Sequence, residues 1–345
     1  MSIHIYLNRY AIAALTASFS LFLVESAPAF QPPVHKPHPV VKRRNALDAD
    51  AINDSSLTPL VTEKSSGAAV IRAQILLCRA NFSVGQIDGS PGINFRRAVV
   101  GFQTARDIPA TGTIDKVTWE ALNNIGDAPA VVTYRITAND LAGPFEKIPG
   151  DLMEAAKLSK MDYESVDDEL GERFHANPEL LHKLNPTKHF DRADTEIVVP
   201  NVDTGSMPKA ASVAVSRSEG TVTALDAKGK VIAQFPATTG SDHDPLPIGD
   251  WKVTTIRHNP EFYYNPDLFW DAEATQSKAK IAAGPRGPVG VVWIGISKEH
   301  YGVHGTAVPA AIGHTESHGC IRLTNWDALA LAKMVGPGTP VHLEE

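Results

Sequence analysis

The spacing of apolar residues changes near residue 209, and that change excludes one continuous fold for the whole chain. Upstream the apolar positions recur at helical intervals, as Ile71, Ile75 and Cys78 do in "VIRAQILLCRANF". Downstream they alternate, as in "SVAVSRSEGTVTALDAKGKVIAQFPATTG" around a turn at Lys228-Gly229, and again in "DWKVTTI" and "VGVVWIGI". A period near 3.6 and a period of 2 present different faces for burial, so the chain reads as multidomain, with helical units ahead of a mainly β unit.

The first unit spans 67–125. The helix around Ile71 to Cys78 is followed by the turn cluster "GQIDGSPG", then "NFRRAVVGFQTARDI" with Asn94 as N-cap and Ala98, Val99 and Phe102 at helical spacing. A last short helix, "DKVTWEALN", starts at a capping Asp115. The order of these elements resembles the peptidoglycan-binding domain, which implies docking to glycan or stem peptide without assigning a contact residue. The second unit, 131–202, reads as strand "VTYRI", two helical pieces in "LGERFHANPELLHKLNP" with Asn177 and Pro178 opening the second, and strand "EIVVPNV". This α+β order resembles a lysin motif, a binder of N-acetylglucosamine polymers, with 139–168 as an insertion.

Ahead of these units the chain reads as exported. Arg9, the apolar run "YAIAALTASFSLFLV" and the small residues Ala27 and Ala29 form a signal peptide over 1–29. An uncleaved membrane anchor is the alternative, but the run is short for a spanning helix. Residues 30–66, rich in Pro, charge and small polar residues, read as a disordered linker, with "KRR" at 42–44 as solvated charge. The formal net charge of -7 argues against a nucleic-acid partner.

The β unit, 209–345, holds the chemistry. Its architecture reads as a β-sandwich or irregular barrel with one helix over about 325–335, capped by Thr324 and Asp327 and ended by "GPGTP". The aromatic stretch "NPEFYYNPDLFWDAEATQ" lacks a clean period, and a loop of that length is more often functional than idle. Of the two cysteines, Cys78 reads as a core residue, and Cys320 lies in the turn "SHGC" before the short extended "CIRL". In an exported protein two cysteines suggest a disulfide, but these two fall in separate units.

A thiol at its ordinary pKa is only a few per cent thiolate at neutral pH, so a cysteine nucleophile needs a base or a cation nearby. His318, two residues away, would share a face with Cys320 in an extended segment, and His304 in "YGVHG" could reach the thiol through space. Spacing does not choose between them. Gly319 permits a tight turn in which its amide and that of Cys320 can form an oxyanion hole. His300, His304, His314, His318 and Cys320 also raise a zinc site, though their spacing matches no standard ligand pattern.

The constellation "GVHGT" then "SHGCIRL", with "PLPIGDW" and "RGPVGVVWIGI" upstream, resembles the catalytic domain of the L,D-transpeptidases; only "VGVVW", where a leucine-glycine pair is commoner, departs from it. The resemblance implies Cys320 as nucleophile and His304 as general base. Gly305 stands where some relatives have a serine, which leaves a backbone carbonyl to orient the imidazole. His318, Gly319, Ser317 and Arg322 match the remaining motif positions; of these His318 and Arg322 shape the pocket and stabilise charge, and Ser317 holds the turn or contacts substrate.

The implied reaction is cysteine-dependent acyl transfer. Cys320 forms a thioester with a donor tetrapeptide stem, D-alanine leaves, and the acyl group passes to an amine of a neighbouring stem or of a wall-anchored lipoprotein, with no metal or cofactor. Transfer to water would make the protein a carboxypeptidase or crosslink-cleaving hydrolase, and a silent catalytic domain would leave a wall-binding protein. Partners are then peptidoglycan stem peptides and glycan, the location is the periplasm, and a membrane contact follows only from an uncleaved signal. The units at 67–125 and 131–202 are expected to act as tethers that raise the local concentration of stems.

Overall fold

The computed structural model describes residues 47–203, 205 and 207–345. The signal peptide and the first part of the linker, 30–46, lie outside the described residues. The rest of the linker is not loose chain. Helix α1 (Ala49–Asn53) is capped by Asp48, Val61 pairs with Ile114, and the Trp119 indole donates to Pro59 O at 2.7 Å. Ile52 and Val61 are fully buried, two apolar residues inside a polar stretch that composition alone averages away.

These contacts complete the helical unit. Helix α2 (Ala68–Arg79) is buried without interruption from Val70 to Cys78, because the 47–66 segment covers the side that α3 (Ile93–Ala105) and α4 (Lys116–Asn123) leave open. Asp115 caps α4 as read, accepting from Thr118 N at 2.9 Å. Asn94 does not cap α3. Gly92 does, and the Asn94 amide, inside the helix, donates to Ile312 O of the β unit at 2.8 Å.

The second unit pairs β1 (Val131–Arg135) antiparallel with β2 (Glu196–Pro200). Between them run α5 (Leu152–Ala155), α6 (Val166–Arg173) and α7 (Pro178–Leu184), the last opened by Asn177 and Pro178. Leu170, Leu181, Ile197 and Val199 form its small core. The inserted stretch 139–168 touches that core at its ends, through Leu141 and Val166, while its middle binds the β unit: Ala155 and Met161 pack on Ile281, Met161 N donates to Ala283 O and Arg286 N donates to Met161 O.

In the β unit the strands are β3 (Ser212–Ser216), β4 (Thr221–Leu225), β5 (Val231–Pro236), β6 (Gly249–His258), β7 (Phe262–Tyr264), β8 (Ala279–Ile281), β9 (Val292–Ile296), β10 (Gly302–His304), β11 (Ile321–Arg322) and β12 (Pro340–Glu344). Eight of them form one sheet in the order β11-β10-β9-β6-β12-β3-β4-β5, while β7 and β8 make a separate hairpin. A register shift at Val253/Thr255 bends β6. Just past β5, Thr238 bridges Arg322 and Gly240 bridges Ser317, so the two edge strands meet and the sheet closes into an irregular barrel. Alternate residues Val213, Val215, Val341 and Leu343 fill the interior with Ile294, Ile321 and Leu323. Helix α8 (Asn325–Met334), capped by Thr324, packs Ala328 and Leu331 into the same core. Each such aliphatic side chain stabilises the fold by about 2–3 kcal/mol through burial.

The three units are not strung on linkers. Asn81, Phe82 and Ser83 pair with Gln234, covering the β5 edge with chain from the helical unit, and the Gln234 amide donates to Arg97 O at 2.8 Å. From the second unit, Asp168 and Glu172 pair with Arg286, Glu172 accepts from Asn325 at 2.7 Å, and the His175 ring lies flat on Trp326 at 4.9 Å. Both units are therefore packed against the β unit, so the linker reach expected of them as tethers is absent, and the packing uses polar groups and the Ala155 and Met161 contacts, which have little reason to show in a hydropathy pattern.

Candidate active site

Cys320 sits where the barrel closes. Ile321 and Arg322 run parallel to Val303 and His304, and on the other side Thr238 exchanges two backbone hydrogen bonds with Arg322, at 2.8 and 3.0 Å. The turn before Cys320 is fixed at both ends: Ser317 N donates to Thr239 O at 2.9 Å, and Ser317 Oγ donates to Cys320 O at 2.5 Å. Gly319 has φ +94° and a Cβ there would lie 2.7 Å from the Tyr301 ring, so no other residue fits. The amides of Gly319 and Cys320 are left without a hydrogen-bond partner among the described residues.

The Cys320 thiol is half-buried and donates to His300 O at a long 3.7 Å. Burial pushes its pKa up, and the Gly302 amide and the Arg322 charge only partly offset this. At neutral pH it therefore carries its proton. Cys78 is the other free thiol; burial pushes it up to about 12, which makes it inert at neutral pH.

His304 is 4% exposed on β10. Its Nδ1 lies 2.7 Å from Gly305 O, and because a carbonyl only accepts, Nδ1 carries the proton and Nε2 keeps its lone pair. Burial first, and the Arg322 charge second, lower its pKa to about 4, so the ring is neutral at pH 7. Trp293 stacks on it at 5.4 Å and 16°. That indole lies across Gly295 and Gly302, where a Cβ would come within 3.2 and 2.6 Å of its ring. With Val303 opposite Ile321, the strand alternation places Gly302, His304 and Arg322 on one face, with Cys320 one residue before the ladder and level with Gly302. The bare glycine gives the Trp293 indole its place on that face, beside the imidazole.

Arg322 is half-buried, forms no ion pair among the described residues, and its Nε has no hydrogen-bond partner. An uncompensated cation beside a thiol suits an anionic group that arrives with the substrate. His318 does not share a face with Cys320, because the bend at Gly319 breaks the extended run. Its Nε2 instead lies 3.0 Å from both oxygens of Asp271, with Phe269 at 5.2 Å edge-on and Trp270 at 6.4 Å. Asp271, Trp293 and Thr238 were not singled out in sequence. The aromatic stretch had marked Asp271's neighbourhood; it forms β7 and the loop toward β8, and that loop reaches the turn before Cys320 through Asp271 and His318. Of the five zinc candidates, no three converge on one point, nor do any three His, Cys, Asp or Glu side chains among the described residues.

Residues 210–343 match the family model of the L,D-transpeptidase catalytic domain, YkuD, and residues 66–122 match that of a peptidoglycan-binding domain. The chain is 32% identical over 169 residues to a protein named as L,D-transpeptidase YkuD in Bacillus subtilis (strain 168), covering 49% of this chain and 82% of the relative. A Bacillus licheniformis protein of the same name is 27% identical over 173 residues, 49% of this chain and 88% of its own. Among solved structures, an L,D-transpeptidase (residues 123–326) from Xylanimonas cellulosilytica DSM 15894 aligns with 16% identity, 83% of this chain and 98% of that one, at a TM-score of 0.35.

Proposed function

The chain belongs to the L,D-transpeptidase family, a family of transferases acting on peptidoglycan, and on that premise we propose that Cys320 and His304 carry the reaction. The observation that carries the assignment is the Nδ1 contact to Gly305 O, which fixes the tautomer whose Nε2 can accept a proton. Nε2 takes the Cys320 proton as the sulfur bonds to the carbonyl carbon of the third residue of a donor tetrapeptide. The unpartnered Gly319 and Cys320 amides receive the oxyanion. Collapse breaks the peptide bond, the imidazolium protonates the departing D-alanine amine, and a thioester remains. An acceptor amine then gives a proton to Nε2, bonds to the thioester carbon and releases the thiol.

His318 with Asp271 shapes one wall, Arg322 meets a substrate carboxylate, and Ser317 holds the turn. The same thioester can pass to an amine of a neighbouring stem, to a lysine of an anchored lipoprotein, or to water; the stem amine is the reading adopted here. A protein acting on the cell wall with the N-terminal segment described above is placed in the periplasm, its signal peptide removed, with the 131–202 unit contributing glycan contacts. Incubation with purified disaccharide tetrapeptide, followed by mass analysis, tests this. A crosslinked dimer with released D-alanine is expected. Tripeptide alone would make the protein a carboxypeptidase, and no product would leave a wall-binding protein.

A further inference from the structure

A polar cleft of about 130 Å³ lies where all three units meet, and the reaction above does not use it. Gln86, Asp88 and Ser90 reach it from the turn after α2, Asn177 from the second unit, and Pro309 and His314 from the loop that leads into the catalytic turn. Junctions between packed units are where ligand sites concentrate.

Its walls are pre-formed. Gln74, 1% exposed, donates to Asp88 Oδ1 at 2.8 Å and Ser90 O at 3.0 Å and accepts from Gly89 N at 2.8 Å, so the turn needs no ligand to hold its shape. The groups left over are the Ser90 hydroxyl, the second Asp88 oxygen and the His314 imidazole; beside them Asn177 Nδ2 and Gln86 Nε2 make only long hydrogen bonds of 3.4 Å, to Gln86 Oε1 and Ala176 O, while Asn177 Oδ1 accepts from Glu179 N. No Lys or Arg lines the cleft. A stem peptide would bring carboxylates to Asp88 with no cation to pair them, whereas a neutral sugar with hydroxyl and acetamido groups meets both donors and acceptors.

The cleft is also linked to the strand that follows Cys320. Asn94 holds Ile312 O, Gly313 N donates to Thr238 Oγ1 at 2.9 Å, and Thr238 is the backbone partner of Arg322. We infer that this cleft binds an N-acetylated amino sugar of the glycan strand, docking the polymer beside the loop that leads to Cys320. The inference rests on the peptidoglycan reading above.

The test uses the full chain with oligomers of β-1,4-linked N-acetylglucosamine, which carry acetamido groups and no carboxylate, followed by calorimetry and saturation transfer to the acetamido methyl protons. Ser90 and His314 are exposed and make no side-chain hydrogen bond, so the double variant Ser90→Ala, His314→Ala is expected to keep the thermal midpoint and to bind about tenfold more weakly. Free tetrapeptide should not compete. Absence of transfer in the wild type, undiminished binding in the variant, or competition by tetrapeptide would each overturn the assignment. Turnover of disaccharide tetrapeptide without glycan binding overturns the cleft and leaves the transpeptidase standing; glycan binding without turnover supports the cleft and removes the transpeptidase.

Discussion

Ser83 Oγ of the helical unit donates to Asp327 Oδ2 of α8 at 2.8 Å, with both residues buried and 244 positions apart in sequence. This bond ties the peptidoglycan-binding domain to the helix that follows the Cys320 strand. Ser83→Ala leaves the Asp327 oxygen buried without its donor and is expected to cost about 1–3 kcal/mol in denaturant unfolding. A chain cut to residues 205–345 should expose the β5 edge and the Asn325 and Arg286 side chains. It is expected to aggregate or to melt well below the full chain, and a truncated domain with the full midpoint would show that the packing contributes nothing.

Cys320→Ala removes the sulfur that the thioester needs and should abolish turnover. Cys78→Ala deletes one buried sulfur and should cost about 1 kcal/mol of stability with turnover kept. Activity assayed beside thermal melting separates the two effects, and surviving turnover in Cys320→Ala would end the thiol mechanism.

His304→Gln keeps the size of the side chain and removes the proposed base. A loss of about 10²- to 10⁴-fold in acylation is expected, with slower thiol alkylation near neutral pH. Because burial holds Cys320 protonated, alkylation of the wild type should also climb above pH 8–9, about where a free thiol levels off.

Stability should respond to pH through buried groups of opposite sign. His304 and His175 have pKa values lowered by burial, to about 4 and about 3, so the stability tied to their neutral forms is present above 6.5 and is lost as pH falls through those values. Burial raises Asp327 to about 7, so its contribution is present below the ordinary carboxylate range and is lost as pH rises toward 7. Denaturant midpoints measured from pH 4 to 8 should show Asp327→Asn flattening the loss toward neutrality and His175→Gln flattening the loss toward acid.

Asp271→Asn leaves the His318 hydrogen bond without its charge. The pair is partly exposed, so unfolding should change by less than about 1 kcal/mol. If the loop between β7 and β8 positions substrate, kcat and KM for disaccharide tetrapeptide should shift together. Unchanged kinetics would make the contact decorative.

Patterns that repeat over short distances were legible in the sequence by itself. Alternation marked the strands from 212 onward, capping residues marked α4, α7 and α8, and the "HGT" and "SHGCIRL" stretches marked Cys320 and His304, because each of these depends on neighbours within a few positions. Tertiary structure decided what depends on residues far apart. Val61 and Ile52 joined a core that their polar surroundings concealed, and Asn94 left a capping role for a carbonyl 218 residues away. The insertion at 139–168 became a clasp on the β7–β8 hairpin, and His318 turned to Asp271 because Gly319 bends the backbone between it and Cys320. The neighbourhood of His304 followed the same logic: it lies beside the Cys320 strand only because β10 and β11 pair in parallel, and a register between strands is a property of the folded sheet that no single stretch of chain contains.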